Sequence, residues 1–210
     1  MATLPIDTVK LHIAGSGPVL VLLHCLGVDH RMWDFAVEAL QQRFTVLTYD
    51  FPGHGDAPVP PSSYTIEDLS AQLAALLKHE GVQRAHVAGM SLGGLVAQHF
   101  AGSNPGVTDK LVLIDTTPRY VDEMRAMWVK RASEARSAGT DSLTEGILKI
   151  WFTQRFIDKH PPAVHFVREC FARTPGEGYA LACEALGAAD LRSIVPGIKA
   201  RTLVICGDQD

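Results

Sequence analysis

Four stretches of the chain are apolar without alternation, at residues 19–24 (VLVLLH), 44–50 (FTVLTYD), 111–115 (LVLID) and 202–206 (TLVIC). A run of that length and composition is expected of a strand covered on both faces, as in a parallel sheet. Val9, Leu11 and Ile13 alternate with polar neighbours instead, which predicts a half-buried strand. Between these strands the period changes. Trp33, Phe35, Ala36 and Leu40 form a helical stripe, and Thr65 with Asp68 reads as a capping box opening a helix over 66–79. Strands alternating with helices imply a doubly wound, mostly parallel α/β sheet with right-handed crossovers.

The rhythm breaks across residues 118–196, where no strand pattern appears. Apolar spacing there predicts helices over about 122–138, 142–151, 163–173 and 176–186. An all-helical block between two sheet strands reads as an inserted cap. The expected division is therefore a core over 1–117, a helical cap over 118–196, and a further piece of core beginning at 197–210.

One pentapeptide adds chemistry to this frame. Gly89-Met90-Ser91-Leu92-Gly93 reads G-x-S-x-G, preceded by the short apolar strand 85–88 and followed by a helical stretch. Strand, sharp turn and helix make it a nucleophile elbow rather than a glycine-rich turn. Ser91 is then the expected nucleophile, at a helix N-terminus that favours developing negative charge. Acyl transfer also needs oxyanion donors, a base and a group orienting the base. The loop His24-Cys25-Leu26-Gly27 follows an early strand, so the backbone N–H groups of Leu26 and Leu92 are the expected donor pair. Each such donor is worth roughly 3 kcal/mol in the transition state. The His24 side chain is read as loop packing. The acid is expected after strand 202–206, in Gly207-Asp208-Gln209-Asp210, where spacing alone leaves both aspartates open. The base follows the acid in this order of residues, and all nine histidines precede it. On that reading the chain is a C-terminally truncated hydrolase, missing a last strand, the catalytic histidine and a closing helix.

Composition narrows the setting. Among 210 residues with a net charge of −4, charges of both signs are spread along the chain, without the basic footprint of a nucleic-acid or membrane-surface binder. The first ten residues lack the pattern of a signal peptide. Cys25, Cys170, Cys183 and Cys206 show no C-x-x-C spacing, so neither a metal nor a disulfide framework is expected, and Cys206 is read as a small buried hydrophobe. The expectation is a soluble cytoplasmic protein with reduced thiols, acting on a small molecule without a cofactor. Oligomeric state stays open.

The pieces H-C-L-G at His24, D-F-P-G-H-G-D at Asp50, G-M-S-L-G-G at Gly89 and L-V-I-C-G-D-Q-D at the end together resemble the α/β-hydrolase fold. The cap segments W-F-T at Trp151, G-Y-A-L-A-C-E-A-L at Gly178 and A-D-L-R at Ala189 resemble the 3-oxoadipate enol-lactonase family more narrowly. That resemblance implies hydrolysis of an enol-lactone in aromatic catabolism and places the acid at Asp210. Cys25, Pro52 and Ala57 depart from residues common in relatives of the fold. An anionic lactone fits a cap carrying Arg119, Arg125, Lys130 and Arg131 beside Trp128, and Trp128, Arg131 and Trp151 are taken as candidate substrate contacts. Other hydrolases of the fold, acting on carbon–carbon or peptide bonds, and a ligand-binding protein without turnover are the competing readings.

Overall fold

The apolar runs become the middle of a six-stranded sheet. The computed structural model describes residues 4–209. In chain order the strands are β1 (His12–Ala14), β2 (Val19–Leu23), β3 (Thr45–Thr48), β4 (Ala85–Met90), β5 (Thr108–Ile114) and β6 (Arg201–Ile205). They lie in the order β1-β3-β2-β4-β5-β6, with β1 antiparallel and the others parallel. Helices α1 (Asp34–Leu40), α2 (Ile66–His79) and α3 (Leu92–Ser103) supply the crossovers. Val21, Val87, Leu23 and Leu95 are almost wholly buried between sheet and helices.

Helix α2 starts where its capping box dictates. The Asp68 N–H donates to Thr65 Oγ1 at 3.2 Å, and the Thr65 N–H donates to Asp68 Oδ2 at 3.0 Å. Two otherwise unpaired N–H groups are thereby satisfied. Its inner face, Ile66, Leu69, Leu73, Leu76 and Leu77, covers the sheet.

Between β5 and β6 the chain is helical, with α4 (Asp122–Ala138), α5 (Thr144–Trp151), α6 (Gln154–Ile157), α7 (Pro162–Arg173) and α8 (Gly176–Ala188). The short α6 lies outside the predicted helices, because four residues leave no periodic signal. Helices α4 and α8 pack along each other, and Arg136 of α4 reaches Glu177 of α8 at 2.7 Å. This block meets the sheet's loops closely. Gly53 has φ +78°, and a Cβ there would sit 2.5 Å from the Gly178 Cα. A Cβ on Gly27 would enter the Phe171 ring. Arg31 adds an ion pair from the core to α7, 2.9 Å from Glu169.

Two expectations need correction. The first strand is shorter than the alternation suggested, and Ile13 is exposed because β1 is an edge with one partner. Strand β6 is exposed along its whole length, with Leu203, Val204 and Ile205 at the surface, and Cys206 is exposed rather than buried. Among the described residues the strand pairs with β5 alone.

Candidate functional site

Ser91 stands between β4 and α3 with φ 50° and ψ −110°. A non-glycine residue there is strained by about 1–3 kcal/mol, so its surroundings must hold it. The Ser91 N–H donates to the Ile114 carbonyl at 2.9 Å, and its carbonyl accepts Thr116 Oγ1 at 2.9 Å and the Leu95 N–H at 3.0 Å. The glycines around it make room. A Cβ on Gly93 would be driven into the Leu23 and His24 carbonyls, and one on Gly94 into the Thr116 side chain. The elbow therefore lies directly against the end of β2. The Ser91 side chain makes no capping bond to α3, which leaves its hydroxyl uncommitted to the helix. Leu92 is the first residue of α3, where an N–H has no intrahelical acceptor and the helix dipole is positive.

The loop after β2 carries Leu26, and two contacts brace it. The Cys25 N–H donates to Met32 Sδ at 3.4 Å. His24 is fully buried, with Nδ1 2.8 Å from the Cys25 carbonyl, while Nε2 accepts the Phe51 N–H at 2.8 Å. With Nε2 accepting, Nδ1 is the donor and the ring is neutral. Burial pushes its pKa down, and burial pushes the nearby His54 down to about 3. The loop-packing reading of His24 matches this geometry, since both ring nitrogens are occupied.

These two histidines make stability pH-dependent. An unfolded histidine titrates near 6.5, so below about that pH the unfolded chain takes up protons the folded chain refuses. For His54 the stability contributed by neutrality is present above about pH 6.5 and falls by about 1.4 kcal/mol per pH unit as pH drops from there toward the folded value of about 3, and His24 acts with the same sign. His30 has the opposite sign. Its hydrogen bond to Asp50 raises its pKa, so its contribution is present at low pH and lost as pH rises through the folded value. The net expectation is a urea midpoint that falls steeply from about pH 6.5 to 5. A flat midpoint across that range refutes the neutral, buried assignment.

The remaining histidines are placed elsewhere. His86 lies on β4 five residues before Ser91, about 16 Å along a strand, with Nδ1 3.1 Å from Asp109 Oδ2. His99 is on α3, where burial lowers its pKa. His12 and His30 stack at 3.8 Å beside a cavity of about 230 Å³ that also touches Lys10, Asp29, Asp50 and Arg173. Asp29, His30 and Asp50 bring possible metal-ligand atoms within 4.8 Å of one another. Their lone pairs are already engaged. Asp29 accepts Arg31 Nη2 at 2.8 Å, and Asp50 accepts the His30 ring at 2.8 Å and the Asp56 N–H at 3.0 Å. Burial raises the Asp50 carboxyl, but these donors outweigh it and hold the group well below the usual carboxylate range.

Of the candidate acids, Asp208 lies in the turn after β6, and Asp210 lies outside the described residues. The candidate substrate contacts fall into two settings. Trp128 is buried in α4 against Tyr120, ring centroids 5.3 Å apart, and carries the Arg131 guanidinium 4.8 Å above its ring. Among the described residues Arg131 pairs with no carboxylate, and its Nη2 lies 3.4 Å from Met127 Sδ. Trp151 is half-buried and meets Phe171 edge-on at 5.9 Å. Thr116 and Asp115, just after β5, carry no motif in the sequence. Their part depends on backbone turns that no residue pattern announces.

A match to the alpha/beta hydrolase family spans residues 20–210. A 3-oxoadipate enol-lactonase of Acinetobacter baylyi is 33% identical over 212 residues, covering 99% of this chain and 79% of its own length. The crystal structure of an enol-lactonase from Burkholderia xenovorans superposes with a TM-score of 0.91 at 37% identity, covering 95% of this chain and 78% of that one. A malate-bound thermophilic esterase from Thermogutta terrifontis superposes at 0.89 with 27% identity, over 95% of this chain and 74% of its own.

Proposed function

The chain belongs to the alpha/beta hydrolase family, and from that premise we propose that it is a serine hydrolase opening a small anionic lactone, of the 3-oxoadipate enol-lactone type, through an acyl-enzyme. The observation that carries this reading is the elbow. Ser91 is held in a strained left-handed turn, its hydroxyl uncommitted to the helix it precedes, with the β2 loop packed against Gly93. Ser91 Oγ attacks the lactone carbonyl carbon while a histidine imidazole takes its proton; among the described residues no histidine bonds to Ser91, and this base is assigned to the length of the relatives that the chain does not span. The carbonyl oxygen becomes an oxyanion facing the Leu26 and Leu92 N–H groups. Collapse breaks the ring C–O bond, and the leaving enol oxygen receives the proton and tautomerises to a ketone. Water then cleaves the acyl-enzyme to the free carboxylate. Asp210 is assigned as the group orienting the imidazole.

The anionic substrate rests on Arg131. Arg136 is tied to Glu177 and Arg168 to Glu145, whereas Arg131 is half-buried and lies over the Trp128 ring without a carboxylate partner among the described residues. Such a cation binds a carboxylate strongly because little water competes for it. Arg131→Ala is expected to raise KM for an anionic enol-lactone at least about tenfold and to leave KM for a neutral ester of similar size nearly unchanged. Equal effects on both substrates refute a carboxylate anchor at this residue. The reaction itself is tested by following ring opening of the enol-lactone by ultraviolet absorbance. Turnover confined to neutral esters or amides points to another bond.

A further inference from the structure

Three consecutive residues past the core of β5 touch both ends of the proposed machinery. Ile114 accepts the Ser91 N–H at 2.9 Å, and Thr116 Oγ1 donates to the Ser91 carbonyl at 2.9 Å. Between them, the Asp115 N–H donates to the Ile205 carbonyl at 3.0 Å, and Asp115 Oδ1 accepts the Gly207 N–H at 2.9 Å. Asp115 thus grips the chain on either side of Cys206, where β6 ends and the chain leads into the turn at Asp208 and Gln209.

The backbone of Asp115 is strained for this task. Its φ is 43°, and among the described residues only Ser91 and His160 share a positive φ without being glycine. That conformation costs an ordinary residue about 1–2 kcal/mol and suits Asp or Asn best, because their short polar side chains bond locally. We propose that Asp115 is a positioning residue, which sets the acid-bearing turn after β6 at a fixed place beside the Ser91 elbow through the bond from Gly207. The proposal rests on the reading of Ser91 and Asp210 as nucleophile and acid. The charge of Asp115 is also felt across the elbow. Burial raises the Cys25 thiol to about 12, and the Asp115 carboxylate adds to that shift.

Three variants separate the alternatives: Asp115→Gly, which keeps the backbone turn and loses the acceptor, Asp115→Asn, which keeps both and loses the charge, and Asp210→Asn. The readouts are amide hydrogen exchange at Gly207, kcat and KM on the enol-lactone, and the pH profile of kcat/KM. Asp115→Gly is expected to lose protection at Gly207 and to lower kcat by about 10- to 100-fold with KM little changed, the cost of an acid held about 1 Å out of place. The acidic limb of its pH profile should move to lower pH, because a poorly oriented carboxylate stabilises the imidazolium less. Asp115→Asn should keep both the protection and kcat near the unmodified values. The proposal is overturned if Asp115→Gly keeps its Gly207 protection, or keeps kcat and pH profile with that protection lost. It is equally overturned if Asp115→Asn abolishes turnover while Asp210→Asn does not, which makes Asp115 itself the acid. Failure of the underlying reading looks different, since Ser91→Ala and Asp210→Asn would then both retain turnover while the Gly207 exchange result still reports the contact.

Discussion

In the full-length protein, Ser91→Ala is expected to lower kcat by about four to six orders of magnitude, leaving only what binding and oxyanion donors supply without a nucleophile. The size follows from covalent catalysis. With no hydroxyl there is no acyl-enzyme, and water must attack the lactone directly. A fluorophosphonate should label the unmodified enzyme at Ser91, located by peptide mapping, and should not label the variant. Labelling or turnover that survives the substitution refutes the nucleophile assignment. Ser91→Gly adds a second reading of the same residue. Glycine adopts φ 50° freely, so this variant should be as inactive as the alanine variant yet more stable, by about 1 kcal/mol of relieved strain. Strain kept at the price of stability is expected where the geometry serves chemistry.

Much of this arrangement is legible in the residues because it is local. The capping box at Thr65 and Asp68 and the helix from 66 to 79 need only neighbouring side chains, and they form as the spacing predicts. The elbow is readable for the same reason, since strand, small residue, serine, small residue and helix lie within about twenty positions. What was not legible depends on pairs far apart. The approach of Gly53 to Gly178 joins positions 125 residues apart, and no pattern around either announces the other. The run LVLID reads as a strand through Asp115, whereas β5 stops at Ile114 and Asp115 turns left-handed. Aspartate carries no signal that distinguishes those two states until its partner, Gly207, is placed.

Gly93→Ala is expected to destabilise the fold by about 3 kcal/mol and lower Tm by about 6–12 °C, although alanine is the better helix former by about 1 kcal/mol. Helix propensity is outweighed by contact. The added methyl points at the Leu23 and His24 carbonyls, and backbone atoms at the end of a buried strand cannot step aside as a flexible side chain would. Either α3 lifts or the β2 loop moves, and the loop carries Leu26. On the proposed mechanism the distance between the Leu26 and Leu92 N–H groups therefore changes in the surviving folded population. Losing one oxyanion donor costs about 10²–10³ in kcat. The variant should bind a lactone analogue with nearly normal affinity while kcat falls within that range. Thermal melting and single-turnover kinetics on the same preparation separate the two effects. A variant that is less stable but turns over normally when folded would place Leu26 outside the oxyanion hole. One with unchanged Tm would show that α3 and β2 can part without cost, against the close contact that sets the elbow.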